Sequence, residues 1–437
     1  MTLFFFNIFG SPHIIQKTKK THLPPFTYTC TPLLPSPTMQ PSHRIQQTDD
    51  PCIVAMQSML KDAPADTISL SQGIVFWTPP EAALKRAADA VTLPHTSQYC
   101  ADAGLPELRA ALQAKISTEN NLSNSSVMVT QGANQAFVNV VLSLCDQDQD
   151  QVVLFPPYYF NHKMALQMTI RPENIVLGER DEDMAPSVEW LKQILTTSET
   201  NIKMIVITNP DNPTGTVATK DMLEEMARLC GKHNIWLVLD NTYEYFVYDT
   251  DARPFHCIEA PHVLNIFSFS KAYGMMGWRQ GYLSYMDAQI DATGSEWSLE
   301  AQLLKCQDTI PICPTIISQH VALGALQDAG SSWVRSKLKD VVQNQKLLRS
   351  VLVDVVGESN VWGGQGAIYL FARLPSGMDD NEIVKTLALV HKVVIIPGTA
   401  CGAPGHVRVS YANLVPEKCV EAAERLRSGL QQILQGN

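Results

Sequence analysis

An α/β fold with a largely parallel sheet, followed by a smaller α+β domain, is what this 437-residue chain predicts. Two observations carry that expectation. Past residue 50, short apolar runs alternate with stretches of helical periodicity, the pattern of strands joined by crossover helices. From about residue 325 the texture changes, and a long polar helix leads into short strands and helices in mixed order. A chain of this length can bury a large core and divide into two domains.

Taken in order, strands are expected over 126–129, 151–155, 202–208, 235–239 and 263–267. The clearest helix between them sets Ala133, Ala136, Phe137, Val140, Val141 and Leu144 on one face at helical spacing. Further on, a helix over 337–353 turns Leu347, Leu348, Val351 and Leu352 inward. Strands at 367–371 and 393–396, a helix at 381–391 and a terminal helix from Pro416 complete the second domain. The expected boundaries are 1–48 for an extension, 49–75 for a piece of the small domain carrying the strand-like Ile68-Ser69-Leu70, 76–325 for the large domain and 326–437 for the small one.

Hydrophobic residues at 45% and charged residues at 17% describe a soluble globular protein. The net charge of -10 argues against nucleic acid or an anionic membrane as the main partner, and no apolar run approaches the length of a membrane helix. Ten cysteines form no C-x-x-C pair and no metal-ligand spacing, so neither a disulfide framework nor a metal site is expected, and a reducing compartment is the simpler reading. The histidines, His95, His162 and His256 among them, form no spaced cluster and read as surface or satisfied core residues. The first 48 residues contain no Asp or Glu, are rich in Ser, Thr and Pro, and carry Lys17, Lys19 and Lys20. They read as a plastid or mitochondrial transit segment, or as an extension upstream of Met39 in a cytoplasmic protein.

The polar residues fall where strands end. Asn209, Asp240 and Ser268 with Lys271 each follow an apolar run, and open α/β sheets bind ligands outside the carboxyl ends of their strands. In Ser268-Phe269-Ser270-Lys271, with Arg279 eight residues on, an amine stands between hydroxyls and a fixed cation. That setting suits a Schiff base to an aldehyde cofactor bearing a phosphate, although a lone Ser-x-x-Lys is weak and most lysines are surface residues. Gln131-Gly132-Ala133-Asn134 opens the amphipathic helix, where free N–H groups and the helix dipole favour an anion. By itself it reads as an ordinary strand-to-helix turn.

Asn209-Pro210-Asp211-Asn212-Pro213-Thr214-Gly215 is more specific, a rigid loop that would hold the Asn212 amide as a fixed donor. Asp240 in Asp240-Asn241-Thr242-Tyr243 is a carboxylate at the end of a buried strand, costly without a partner. A protonated ring nitrogen would supply one, and Tyr243 can donate to an oxygen on the same ring; a helix cap is the plainer alternative. Phe155-Pro156-Pro157-Tyr158-Tyr159 brings an aromatic ring out after a strand, placed to stack on a planar heterocycle or to join the core. Arg408, inside the apolar strand Gly405-His406-Val407-Arg408-Val409-Ser410, needs an anion, either a ligand carboxylate or an internal ion-pair partner.

With these motifs in this order, the chain resembles the fold-type I, pyridoxal-phosphate-dependent aminotransferases of class I/II from about residue 50 to its end. The resemblance implies a large domain with a mainly parallel seven-stranded sheet flanked by helices, and pyridoxal 5'-phosphate as cofactor. It implies that Lys271 forms the Schiff base and later shuttles the substrate's Cα proton. Asp240 would pair the ring nitrogen, Tyr243 and Asn212 the ring oxygen, and Tyr159, with Tyr158 the alternative, would stack on the ring. Ser268, Arg279 and the Gly132-Ala133-Asn134 turn would bind the phosphate, and Arg408 the substrate's α-carboxylate beside Gly73. Tyr99, in Gln98-Tyr99-Cys100-Ala101-Asp102-Ala103-Gly104, matches the family tyrosine that reaches the partner subunit's phosphate, implying a symmetric homodimer.

Within the family, Ser268 to Arg279 and Asp240 to Phe246 are most similar to plant-type aromatic aminotransferases that use methionine as donor and an aromatic 2-oxo acid as acceptor. Two departures stand out: Gln280 replaces a small aliphatic residue, and Pro156 an acidic one. No Arg lies between Arg279 and Arg335, where dicarboxylate-specific relatives place one, while Tyr245, Trp77 and Tyr369 are available for apolar or aromatic substrates. The same residues would serve a carbon–sulfur lyase acting on cysteine conjugates, or a kynurenine/glutamine-type transaminase. A cofactor-binding regulator without catalysis is disfavoured by intact Lys271, Asp240 and Arg408.

Overall fold

The apolar runs become strands because their side chains find a core on both faces. The computed structural model describes residues 39–196, 201–249, 251 and 253–435, and from Ser42 on the described residues form one compact unit. The expected transit segment or extension spans residues 1–48: residues 1–38 lie outside those described, while 42–48 belong to the compact unit and include a short helix, His43–Gln46. The first strands are β1 (Ile68–Ser69), β2 (Ser126–Thr130), β3 (Gln151–Leu154), β4 (Ile175–Leu177), β5 (Ile202–Thr208), β6 (Trp236–Asp240), β7 (Val263–Ser268) and β8 (Gly281–Tyr285). Strands β2 to β8 make a seven-stranded sheet in the order β2-β8-β7-β6-β5-β3-β4. All neighbouring pairs are parallel except those of β8, which runs antiparallel to both β2 and β7.

Alternation along β6 shows how the sheet is covered. Leu237 and Leu239 enter one apolar cluster with Leu223, Met226 and Cys230, while Val238 enters another with Phe137, Val140 and Val141. Successive strand residues point to opposite faces, so a strand covered on both sides reads as a continuous apolar run rather than an alternating one. The helix Lys220–Lys232 covers the first face and Ala133–Leu144 the second. The expected strands appear within a residue or so of their predicted ends. Two strands of this sheet have no counterpart among those expected: β4 is a three-residue, half-exposed edge, and β8 is interrupted by Ser284 and begins on a glycine.

After the small hairpin of β9 (Ala288–Ile290) and β10 (Glu296–Ser298) come β11 (Val361–Gly363), β12 (Tyr369–Arg373), β13 (Val393–Val394), β14 (Ile396–Pro397) and β15 (His406–Ser410). A four-stranded antiparallel sheet runs β11-β12-β15-β14, and β1 pairs with β13 in parallel, joining the 68–69 segment to the C-terminal part of the chain. The strand expected over 367–371 is shifted to β12, because Ala367 takes a left-handed conformation with φ of 52° that a strand cannot hold. The long helix begins earlier than expected and spans Gly330–Val356, burying Val334, Val341, Leu348 and Leu352.

Gln280 is fully buried, and neither of its amide atoms has a hydrogen-bond partner. An unmet buried amide costs about 1–3 kcal/mol, whereas an apolar group of similar shape leaves nothing unsatisfied. We expect Gln280→Leu to raise the urea unfolding midpoint at fixed cofactor concentration by the equivalent of about 1 kcal/mol. An unchanged or lower midpoint would show that the amide is satisfied or that the site resists the added volume.

Candidate functional site

Strand register assembles the site. Thr208, the last residue of β5, lies opposite Asp240, the last of β6, while Ser268 ends β7 opposite Gly281 of β8, which in turn faces Thr130 of β2. The β5 and β6 ends therefore carry Asn212, Asp240 and Tyr243, and the β2, β7 and β8 ends carry Gly132, Ser268, Lys271 and Arg279. Between them is a cavity of about 230 Å³, which also touches Ala133, Asn134 and Tyr159.

On the cationic side, Ser268 caps the short helix Phe269–Ala272, its Oγ accepting from the Ser270 N–H at 3.1 Å. That turn sets Lys271 beside the cavity. Burial, helped by the Arg279 and Arg408 charges and opposed by Asp240, brings the Lys271 amine down to about 8. Arg279 adopts a left-handed backbone, φ 52°, held by Nη1 donating to the Met276 carbonyl at 2.9 Å. Its Nη2 sits where a Cβ on Gly132 would be, 2.5 Å from that position, and Gly132 itself has φ 80°. Only glycine allows that approach of turn and guanidinium.

On the anionic side, Asp240 is 4% exposed. Its Oδ2 lies 3.1 Å from His162 Nε2, and its Oδ1 accepts from the Thr242 N–H at 3.0 Å and the Thr242 hydroxyl at 2.6 Å. Burial pushes this carboxyl upward, but the His162 and Thr242 contacts outweigh it and hold the pKa below the usual carboxylate value. Asp240 is thus an anion at neutral pH. Tyr159 lies above the same region, its ring edge-on to His162 at 5.1 Å and its hydroxyl accepting from Asn161 Nδ2 at 2.9 Å. Burial raises that phenol to about 12, so it is a neutral ring.

Arg408 occupies a neighbouring corner rather than the cavity wall. Its Nη1 donates to Asn212 Oδ1 at 3.0 Å and its Nη2 to the Ser71 carbonyl at 2.8 Å. Gly73 abuts Tyr369, whose hydroxyl a side chain there would strike.

Ala133, Asn134, Tyr159, Asn212, Asp240, Tyr243, Ser268, Lys271 and Arg279 are thus gathered around one cavity, with Gly132 against Arg279 and with Arg408 and Gly73 next to it. Tyr159, not Tyr158, faces the cavity; Tyr158 packs against Gly402. Tyr99 stands apart at 79% exposure. Tyr245, expected as a substrate-side aromatic, does not line the cavity: its hydroxyl donates to Glu119 Oε2 at 2.7 Å and its ring packs on Tyr273. Trp77 stacks on Phe246 and donates to the Ala272 carbonyl at 3.3 Å, behind the lysine.

Two residues escaped sequence reasoning. His162, taken there as a core or surface histidine, is the partner of Asp240; its position three residues after Tyr159, at the spacing of one helix face, was the available signal. Arg180 pairs with buried Asp211 at 3.1 Å and also donates to the Phe155 and Pro157 carbonyls, tying the Asn212 loop to the Tyr159 turn. Nothing near Arg180 in sequence marks that role.

The model of the family described as aminotransferase class I and II matches residues 65–426. The chain is 45% identical over 395 residues to the aromatic aminotransferase ISS1 of Arabidopsis thaliana, covering 90% of this chain and 97% of that one. It is 30% identical to an aspartate aminotransferase of Pyrococcus abyssi, covering 84% of this chain and 92% of that one. Among solved structures, a single mutant of Thermus thermophilus aspartate aminotransferase superposes with a TM-score of 0.77 at 27% identity, covering 90% of this chain and all (100%) of that one. The fold, the strand-end constellation and these matches together establish that this chain belongs to the class I and II aminotransferases, the fold-type I group of pyridoxal-phosphate-dependent transaminases.

Proposed function

We propose that this aminotransferase binds pyridoxal 5'-phosphate in the strand-end cavity and moves an amino group from methionine or an aromatic amino acid to an aromatic 2-oxo acid such as phenylpyruvate, by a ping-pong scheme. The observation that carries this reading is the polarity of the site: Lys271 and Arg279 on one side, and the buried, ionised Asp240 on the other. A ligand with a phosphate at one end and a basic ring nitrogen at the other satisfies both. Gly132, where a Cβ would meet Arg279, lets the guanidinium lie against a turn whose free N–H groups also favour an anion.

In this reading Ser268, Arg279 and the Gly132-Ala133-Asn134 turn hold the phosphate, Asp240 the ring nitrogen, Asn212 and Tyr243 the ring oxygen, and Tyr159 the ring face. When bound, the cofactor supplies the electron sink and carries the amino group between the two half-reactions. Lys271 holds and moves the proton at the substrate's Cα. An amine with a pKa of about 8 is partly neutral near physiological pH and can accept that proton, whereas an ordinary lysine almost never can. Asp240, fixed by His162 and Thr242, keeps a negative charge opposite the ring nitrogen throughout. Arg408 takes the substrate's α-carboxylate.

Two features support an apolar or aromatic substrate: the absence of Arg from 280 to 334, and the 45% identity to a relative named as an aromatic aminotransferase. With a panel of donors and phenylpyruvate as acceptor, we expect kcat/KM for methionine, phenylalanine or tryptophan to exceed that for aspartate by at least about tenfold. A strong preference for aspartate would overturn the assignment.

We further propose a symmetric homodimer, the usual state in this family, in which Tyr99 crosses to the partner's phosphate site. Its 79% exposure, with Val91 and Leu93 exposed nearby at 60% and 41%, supports a surface that a second copy covers. For location we propose the cytoplasm, with plastid or mitochondrion as the alternative; the nine described cysteines, all free, fit a reducing compartment. Among the described residues no helix is long and apolar enough to cross a membrane.

A further inference from the structure

Arg408 is 2% exposed, so a carboxylate arriving from solvent cannot reach its guanidinium without displacing something. Two of its nitrogens are engaged by Asn212 and Ser71, and its Nε is buried with no partner at all. A buried guanidinium with an unused donor can still accept an anion as a partner. Two rings cover it: Tyr369, whose centroid is 4.4 Å from Arg408 Cζ, and Phe160, at 5.9 Å. Phe160 offers no polar tie. Tyr369 does, because its hydroxyl forms a 2.6 Å hydrogen bond with the Tyr243 hydroxyl, in which either can be the donor.

The backbone explains how one side chain spans these points. Tyr369 opens β12, and β12 pairs with β15, where Ser410 faces Tyr369 and Arg408 faces Phe371. The Tyr369 ring lies along Arg408 and its hydroxyl extends to the end of β6, passing Gly73, whose missing Cβ leaves the space that the hydroxyl fills.

We propose that Tyr369 is a gate over Arg408, latched by its hydrogen bond to Tyr243, and that this latch sets the affinity for the substrate's carboxylate. The proposal rests on the reading of Arg408 as the carboxylate site. A carboxylate binds only when the ring has moved aside, so the apparent affinity is the intrinsic one multiplied by the open fraction. The latch is one neutral hydrogen bond, and removing it raises that fraction by roughly two- to tenfold.

Tyr369→Phe keeps the ring and removes the latch. The probe is 3-phenylpropionate, which has the carboxylate but no amino group to transfer, titrated by calorimetry into cofactor-saturated enzyme. We expect it to bind about two- to tenfold more tightly to the variant, while the uncharged 3-phenylpropanamide binds both proteins alike. Tyr243→Phe removes the other half of the latch and gives a similar gain, and the double variant gains no more than either single one. Tyr243→Phe also reports on the latch if Tyr369→Phe fails to fold. Unchanged 3-phenylpropionate affinity in the single variants, an equal gain for the amide, additive gains in the double variant, or no binding of the acid to the wild type would each overturn the gate. Failure of the gate leaves the wild type's preference for methionine or aromatic donors over aspartate intact, whereas failure of the functional reading removes that preference.

Discussion

Lys271→Ala abolishes transamination, with turnover falling by more than about ten-thousand-fold. In the proposed function one amine does two things: bond the cofactor's aldehyde, and carry a proton to and from the substrate's Cα. It lies at the end of β7 beside the cavity, with its pKa brought to about 8 by burial and by Arg279, which fits both tasks of the proposed reading. Alanine does neither. Ser268, Arg279 and Gly132, proposed to hold the phosphate, remain, so the variant should still take up cofactor. It should lack the visible absorbance of the lysine-bound form, and borohydride should no longer fix cofactor to any peptide. Single-turnover kinetics, the absorption spectrum and peptide mass analysis together read this out. Activity within tenfold of the wild type, or a borohydride label on another lysine, would remove Lys271 from its role.

The parts of this site legible in the sequence share one property: each belongs to a short motif at the end of an apolar run. Asn212, Asp240 and Lys271 are announced locally, by a proline-pinned loop, a carboxylate closing a strand, and a lysine between hydroxyls. Parallel register then does the assembly, since neighbouring strands place their ends at one level. His162 and Arg180 were not legible because each acts through a residue far away in the chain, His162 on Asp240 and Arg180 on Asp211. Tyr245 failed for the complementary reason. It follows Tyr243 by two residues, but the turn after β6 sends its ring to Glu119 and Tyr273 rather than into the cavity. The same limit applies to the fold: long, doubly buried strands such as β5 and β7 read as continuous apolar runs, whereas β4 and β8 exist only because a neighbour supplies their hydrogen bonds.

Asp240→Asn separates charge from shape at the opposite side of the cavity. The substitution is nearly isosteric, and its remaining oxygen can still accept from the Thr242 N–H and hydroxyl. What disappears is a full negative charge on a buried side chain, where electrostatic terms are stronger than in water. The protein sustains that charge against burial: His162 and Thr242 keep the carboxyl below its ordinary pKa, so it stays ionised from mildly acidic pH upward. Nothing in packing requires an anion there; an asparagine would fill the space without the desolvation penalty. In the proposed reading the charge acts on a bound ring nitrogen, which it keeps protonated. We expect kcat to fall by roughly a hundred- to a thousand-fold with cofactor still bound, while Asp240→Glu, which restores the charge in a displaced position, recovers part of the loss. Steady-state kinetics beside the cofactor absorbance of each variant makes the measurement. If Asp240→Asn keeps kcat within threefold of the wild type, or loses activity only because it no longer holds cofactor, then the carboxylate serves the fold and His162, and its electrostatic role is wrong.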